Sequence, residues 1–231
     1  MCKGDESVVR PSTRKVILTS STLYNVWSYN ELRLDLHVDI ESIVGGRVRD
    51  LTRALFMMYL KHPERLEIIL IAGLNNIGQG QSVHDIIDEI IELKEAVQAH
   101  SKKHRHKVPS VVSISTVLFA PKHCSLDVPA NKPEWTPPAG FKNRRNEIEC
   151  LKAAIMAINR GEGVNTINMH LEGITVDNTT NKVIHKHNPV VPIWREGEVR
   201  RRLHLTPTYK VKMVDRAATL FHGGLRNLGF K

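Results

Sequence analysis

The sequence has few of the features that mark secreted, membrane-spanning or cysteine-bound zinc proteins. Its three cysteines (Cys2, Cys124 and Cys150) are widely spaced and include no Cys-x-x-Cys pair, which argues against a disulfide framework and a cysteine zinc site. No apolar run approaches the roughly 20 residues of a transmembrane helix, and the polar N-terminus lacks the apolar core of a secretory signal. We therefore expect an intracellular protein without a transmembrane segment.

The composition is that of a single globular domain with a basic surface. Of its 231 residues, 41% are hydrophobic and 25% charged, which suffices for one large domain. We expect a flexible N-terminus over residues 1–13 and one domain over residues 14–231. The formal net charge is +9, and residues 195–231 hold nine Lys/Arg against three Asp/Glu, a net +6. Such a patch would suit a polyanion, although an ordinary solvated surface explains it equally well.

Apolar segments of strand length alternate with segments of helical period, a pattern that predicts βαβ units and a parallel sheet. The predicted strands are 15–20, 32–40, 65–73, 110–120 and 164–172. The predicted helices are 45–62, 82–100, 143–160 and 207–221, with a capping box of Ser82 and Asp85 at the start of the second. Residues 121–141 and 173–199 show no period, so we expect two long loops. The predicted fold class is α/β, a three-layer α/β/α (flavodoxin-like) domain with a five-stranded parallel sheet.

Four polar stretches lie where predicted strands end or where the last helix begins. They are Ser20-Ser21, Gly45-Gly46, Asn75-Asn76 and the segment around His204. In a right-handed parallel sheet all four lie at the same edge, where ligands bind. A hydroxyl, an imidazole, a glycine N–H and an amide are the groups that acyl transfer needs: a nucleophile, its base and the donors that hold an oxyanion.

In order and spacing these stretches resemble the motif blocks of the SGNH (GDSL-type) hydrolase family. TSST at 19–22 stands where the family has its Gly-Asp-Ser motif and matches Ser21 to the nucleophile. VGGRVRDL matches Gly45, and GLNN matches Asn75, to the residues that form the oxyanion hole with the Ser21 N–H. RRLHLTPTYK resembles the last block and matches His204 to the base. The resemblance covers roughly residues 14–222 and implies no metal and no cofactor.

The sequence departs from the family pattern at three places, so it resembles a degenerate member. Thr19-Ser20 replaces the Gly-Asp that precedes the serine, and Asn76 replaces the aspartate of the third block. Arg201 stands where the family has the aspartate of its Asp-x-x-His motif. That aspartate orients and stabilises the imidazole. Here Glu196, Glu198 or a backbone carbonyl is left to orient His204.

Each of these residues also has an ordinary structural interpretation. Ser21 would serve as a helix cap, and Gly45 and Asn75 as turn residues. His204 and its neighbouring arginines would lie on a solvated surface. The basic run KKHRHK at 102–107 is interpreted as the solvated end of a helix. His185 and His187 have strand spacing but no third ligand that would complete a metal site, so no metal is expected.

Two functions are compatible with the sequence. The first is a serine ester hydrolase of SGNH type that acts on an acetyl or lipid ester through a Ser-His dyad or a non-standard triad. The alternative is an inactive SGNH-like module that binds RNA or another polyanion, as the resemblance allows, since such domains occur within the fold and in mobile-element proteins. Its candidate contacts are Arg195, Arg200, Arg201 and Arg202. An aromatic content of 5% counts mildly against recognition by base stacking.

Overall fold

A computed structural model describes residues 12–20, 38–115, 144–166, 175–177, 182–184, 190–195, 198–205 and 207–226. Between residues 175 and 209 the description is of the backbone. Four parallel strands, β1 (Thr13–Thr19), β2 (Val38–Ser42), β3 (Arg65–Ile71) and β4 (Val111–Ile114), form a sheet in the order β2-β1-β3-β4. The helices are α1 (Val48–Met58), α2 (Leu74–Gly78), α3 (Val83–Lys103), α4 (Arg145–Gly161) and α5 (Pro207–Gly223).

Two hydrophobic clusters on opposite faces of this sheet make the domain three-layered. Along β1, Val16 and Leu18 belong to the cluster with α1, α3 and α4, whereas Ile17 belongs to the cluster with α5. Adjacent residues of a strand point to opposite faces, so each strand contributes to both cores. The predicted fold class is therefore confirmed, with four strands in the described part of the chain where five were predicted.

Side chains occupy the outer edge of β4, where the fifth strand was expected. Asn159 of α4 accepts a hydrogen bond from the Ile114 N–H (3.2 Å) and donates one to the Ile114 carbonyl (2.7 Å). Lys94 Nζ of α3 donates to the Val112 carbonyl (3.1 Å). In the described part of the chain, these backbone groups, which a neighbouring strand would use, are therefore already bonded by side chains.

The chain that would have formed this strand runs differently where it is described. Val164 forms an isolated bridge with Arg226, and Asn165 donates its N–H to the Leu225 carbonyl (2.8 Å). These contacts tie the segment after α4 to the residues after α5. Residues 167–172 of the predicted strand lie outside the described residues.

The four predicted helices are present within a few residues of their predicted ends. The cap of α3 is also confirmed: Ser82 Oγ accepts from the Asp85 N–H (3.1 Å), while the Asp85 carboxylate accepts from Ser82 Oγ (2.7 Å). The prediction of a long loop over residues 173–199 was wrong. The chain from residue 175 to 205 forms two antiparallel strand pairs, β5 (Thr175–Asp177) with β6 (Lys182–Ile184) and β7 (Val190–Arg195) with β8 (Glu198–Leu205). The strands β5 and β6 have three residues each, too few for an alternation of apolar and polar residues to be detected. Pro192 lies within β7, and a proline argues against a strand.

None of the helices in the described ranges combines the length and apolar character that crossing a bilayer would require. Residues 121–141, the other predicted loop, lie outside those ranges.

The bonds of Asn159 predict a measurable contribution to stability. Asn159→Ala should lower the free energy of unfolding by roughly 2–4 kcal/mol, because it leaves the buried N–H and carbonyl of Ile114 without partners. Denaturant unfolding would measure the loss. Cys150→Ser, an exposed position on the same helix, should change stability by less than about 0.5 kcal/mol. Equal effects of the two substitutions would contradict this account of the β4 edge.

Candidate active site

The carboxyl ends of β1, β2 and β3 meet around Ser20. Its N–H donates to the Ile71 carbonyl at the end of β3 (3.2 Å), and its carbonyl accepts from Ser42 Oγ at the end of β2 (2.8 Å). The chain therefore leaves β1 at a fixed point between the two neighbouring strands. Ser21, the predicted nucleophile, follows directly and lies outside the described residues.

The second and third motif stretches are hydrogen-bonded to each other at this edge. Asn75 Nδ2 donates to the Gly46 carbonyl (3.0 Å). A carboxamide nitrogen carries two N–H groups. The bond to Gly46 uses one of them, so the other can donate to a second acceptor. The structure thus brings together the two stretches that contain the predicted oxyanion residues Gly45 and Asn75.

The two glycines of the second stretch have different structural roles. Gly45 is exposed, has φ = +72° and has no atom within 4 Å of the position that a Cβ would occupy. Gly46 is buried, its N–H donates to the Ile43 carbonyl (3.0 Å), and a Cβ would approach Ile43 Cγ2 to 2.8 Å. The N–H of Gly46 is engaged in this turn, so Gly45 remains the better candidate for binding an oxyanion. Gly46 has a packing role that the sequence did not reveal.

Asn76 connects three helices at the same edge. It is completely buried, and its Oδ1 accepts from the Val48 N–H at the start of α1 (3.2 Å). Its Nδ2 donates to Gln81 Oε1 (2.8 Å) and to Glu89 Oε2 on α3 (3.0 Å). The Asn76 amide therefore holds the stretch before α1 at a set position relative to Asn75.

The partners of Asn76 explain how the chain accommodates one departure from the family motif. Glu89 also accepts from Gln81 Nε2 (2.9 Å) and from the Arg49 N–H (3.2 Å), so every contact it makes in this network is with a donor. A carboxylate at position 76 could accept from Val48 but would face Glu89 without a proton to donate. The asparagine and the glutamate are therefore a matched pair. In the sequence Asn76 stands out only as a departure from the family motif, and nothing in the sequence marks Gln81 and Glu89 as its partners.

The last motif stretch lies in the β7–β8 hairpin. His204 is opposite Val191 in the antiparallel pairing, and Arg202 is opposite Ile193. Arg200 and Arg201 are also in β8. Arg195 of β7 is opposite Glu198 of β8 in the strand register. The roles predicted for Ser21, Gly45, Asn75 and His204, and for the arginines, remain predictions.

The strand geometry bears on which group orients His204. Glu198 begins β8 and His204 lies six residues further along it, which separates their Cα atoms by roughly 20 Å at the rise of an extended strand. Glu196 lies outside the described residues.

Only structural comparisons reveal relatives. No protein-family model matches the sequence, and no curated protein is significantly similar to it. A GDSL-like lipase from Bacteroides thetaiotaomicron superimposes with a TM-score of 0.53 at 13% identity, over 90% of this chain and 88% of the lipase. A psychrotrophic esterase from Pseudoalteromonas sp. gives 0.55 at 12% identity, over 92% and 100% of the two chains. The aryl esterase of M. smegmatis gives 0.54 at 12% identity, over 91% and 99%.

These superpositions cover nearly the whole of both chains in each pair. At identities of 12–13% they establish the fold alone. The chain therefore has the fold of the GDSL-type (SGNH) hydrolases, as its motif stretches predicted.

The charge match between Asn76 and Glu89 can be tested with a double mutant. Asn76→Asp should destabilise the protein by roughly 2–4 kcal/mol, because it places a second carboxylate in a buried site beside Glu89. Adding Glu89→Gln should recover more than half of that loss, because the new amide donates to the new carboxylate. Denaturant unfolding of both single variants and the double variant measures the coupling.

Asn75→Asp is the matched control for this test, because Asn75 lies next to Asn76 in the chain but is only half-buried. It should be tolerated better than Asn76→Asp. Wild-type stability of Asn76→Asp, or no recovery in the double variant, would show that the charge match is unimportant.

Proposed function

We propose that the protein is a serine ester hydrolase of SGNH type that acts on an acetyl or lipid ester. Ser21 is the nucleophile and His204 the general base. The Ser21 N–H, the Gly45 N–H and the Asn75 side chain bind the oxyanion. The three structures compared above are named as a lipase and two esterases, which supports an ester as the substrate.

The hydrogen bond between Asn75 Nδ2 and the Gly46 carbonyl carries this proposal. It joins the stretch proposed to supply one oxyanion donor to the stretch proposed to supply another. Both lie at the sheet edge where β1 ends at Thr19, two residues before Ser21. Donors fixed in advance around a developing negative charge are worth roughly 3–4 kcal/mol each to acyl transfer.

The proposed reaction has two halves. His204 takes the proton of the Ser21 hydroxyl while its oxygen attacks the ester carbonyl, and the resulting oxyanion lies among the three donors. Collapse of this intermediate breaks the ester C–O bond, and His204 returns the proton to the departing alcohol. A water molecule, deprotonated by His204, then attacks the acyl-enzyme and releases the acid and the free Ser21 hydroxyl.

The reaction requires an oriented imidazole, and the family aspartate is replaced by Arg201. We propose a Ser-His dyad in which a backbone carbonyl accepts from the second ring nitrogen of His204. The arginines at 195 and 200–202 place positive charge on the hairpin that carries His204. Their positive charge favours ester substrates that carry a negative charge on the acyl or the alcohol part.

Covalent trapping tests the nucleophile. An activated alkylphosphonate should modify the wild-type chain once, because the Ser21 oxygen attacks phosphorus and expels the leaving group without a deacylation step. Peptide mass mapping should place the adduct on Ser21. Ser21→Ala should lose the adduct and lower hydrolysis of p-nitrophenyl acetate by about 10³-fold or more.

Thr22→Ala is the control, because it removes the adjacent hydroxyl of the same Thr-Ser-Ser-Thr stretch. It should keep both the adduct and turnover. Unchanged turnover in Ser21→Ala, or an adduct on another residue, would remove the hydrolase proposal.

A binding function is the second candidate, and the β7–β8 hairpin favours it. Arg200, Arg201 and Arg202 are consecutive in β8, and Arg195 is at the end of the strand paired with it. Neighbouring strands lie about 5 Å apart, so the hairpin concentrates four cationic residues in one ribbon. A ribbon of this charge is suited to the phosphates of single-stranded RNA.

Salt dependence separates this candidate from the first. If the hairpin binds RNA through n phosphates, the association constant should fall with salt with a slope of about −0.7n in a double-logarithmic plot. Arg200→Ala with Arg202→Ala should reduce that slope by about 1–2, and Ser21→Ala should leave it unchanged. Binding that is absent, or insensitive to salt, would exclude the RNA function.

A further inference from the structure

Three imidazoles lie together at the C-terminal end of α3, in a part of the molecule that the proposed reaction does not use. The ring centroids of His100 and His104 are 4.6 Å apart, and His106 lies 5.4 and 6.0 Å from them. Ser101 and Ser110 bond this end of the helix to the start of β3: Ser101 Oγ accepts from the Ser110 N–H, and Ser110 Oγ from the Leu66 N–H. The cluster is thus at the amino edge of the sheet, opposite the candidate active site.

Backbone carbonyls hold two of these rings. His100 Nε2 is 2.6 Å from the His62 carbonyl, and His106 Nε2 is 2.7 Å from the Pro63 carbonyl. A carbonyl only accepts, so each Nε2 carries the proton. In the neutral rings the lone pair is then on Nδ1. Histidines that bind metals are commonly oriented in this way, by donating their other ring N–H to a carbonyl.

Two ring nitrogens of the cluster are buried without a partner among the described residues. They are His100 Nδ1 and His104 Nε2. The His100 side chain is almost completely buried, with 4% of the residue exposed. Buried polar atoms in proteins nearly always have a partner, so two orphans on rings in contact call for an explanation.

We propose that His100 Nδ1 and His104 Nε2 bind one divalent transition-metal ion, Zn²⁺ in the first instance, with His106 as a third ligand. Residues four apart lie on one face of a helix, the spacing that many zinc-binding histidine pairs use. Around a tetrahedral ion with Zn–N bonds of about 2.0–2.1 Å, ring centroids are about 5 Å apart. The separation of 4.6 Å between His100 and His104 is close to that value, whereas the His106 ring lies further away, at 5.4 and 6.0 Å from the other two.

His106 completes the site by turning its ring. In the structure its Nδ1 is 3.4 Å from Ser101 Oγ, a weak contact that a metal bond would replace. The ion would join the end of α3 to the segment after α1 through the His100 ring, which already contacts the His62 carbonyl. The site is therefore structural, and it should not alter ester turnover.

A second cluster in the described ranges has a simpler explanation. The ligand atoms of His84, Asp85 and Asp88 lie within 4.8 Å of one another, but all three residues are exposed. His84 Nδ1 pairs with Asp88 (2.9 Å), and Asp85 takes part in the cap of α3. These contacts account for the cluster without an ion, and His84 is the natural control position.

The prediction that no metal binds rested on the cysteines and on His185 and His187, which lie outside the described residues. The interpretation of KKHRHK as a solvated helix end holds for Lys102 and Lys103, which are exposed. It overlooked His100, which lies two residues before the run and one helical turn before His104. The signal in the sequence was His-x-x-x-His-x-His at 100–106.

Calorimetric titration with ZnCl₂ tests the site, using the full chain without a histidine tag after treatment with EDTA. One Zn²⁺ should bind per chain and raise Tm. His104→Gln should weaken binding at least tenfold, and His84→Gln should leave it unchanged. Circular dichroism of His104→Gln checks that the half-buried position tolerates the change.

A second measurement on the wild-type chain does not depend on that variant folding. In imidazole ¹H–¹⁵N spectra, substoichiometric Co²⁺ should broaden the resonances of His100, His104 and His106 before those of the other histidines. Absence of saturable binding, equal affinity in a folded His104→Gln, loss of binding in His84→Gln, or broadening that begins at His84 would each overturn the proposal.

Discussion

The buried amide of Asn76 is the interaction on which the geometry of the candidate active site depends. It accepts from the first turn of α1 and donates to α3, while the residue before it, Asn75, bonds to Gly46. The stretch around Gly45 and the start of α2 would otherwise be two independent loops after two different strands. The side chains of Asn75 and Asn76 set their relative position, and that of Asn76 is completely buried. A site built for a developing charge needs such support, because a donor displaced by an ångström loses most of its effect.

The same device, a side-chain amide in place of backbone pairing, occupies the outer edge of β4. Asn159 bonds both polar groups of Ile114, and Lys94 bonds the Val112 carbonyl and the carboxylate of Glu162 (2.8 Å). The outer strand thus has α3 and α4 bonded directly to its backbone. An open edge would present unpaired groups to other chains, and these bonds remove that hazard at β4.

The features that hydrophobic periodicity encodes are predictable from the sequence. The four long helices and the strands around Ile17 and Ile69 have apolar patterns that follow from burial on one face or on both. The motif stretches around Gly45 and Asn75 were placed correctly at one edge, because parallel connections leave few alternatives. Asn76, Glu89 and Asn159 could not be found in this way: each acts through a partner distant in the sequence, and a polar residue within a helix carries no sign of its bond. The short hairpins after residue 173 have too few residues for alternation to show.

The extended conformation of β8 changes the meaning of the arginine at position 201. In an extended chain, residues three apart are separated by about 10 Å and point to opposite sides of the ribbon. Residues 201 and 204 both belong to strand β8 (Glu198–Leu205), so the backbone between them is extended and their Cα atoms are about 10 Å apart. Arg201 therefore departs from the family motif in its backbone setting as well as in its charge.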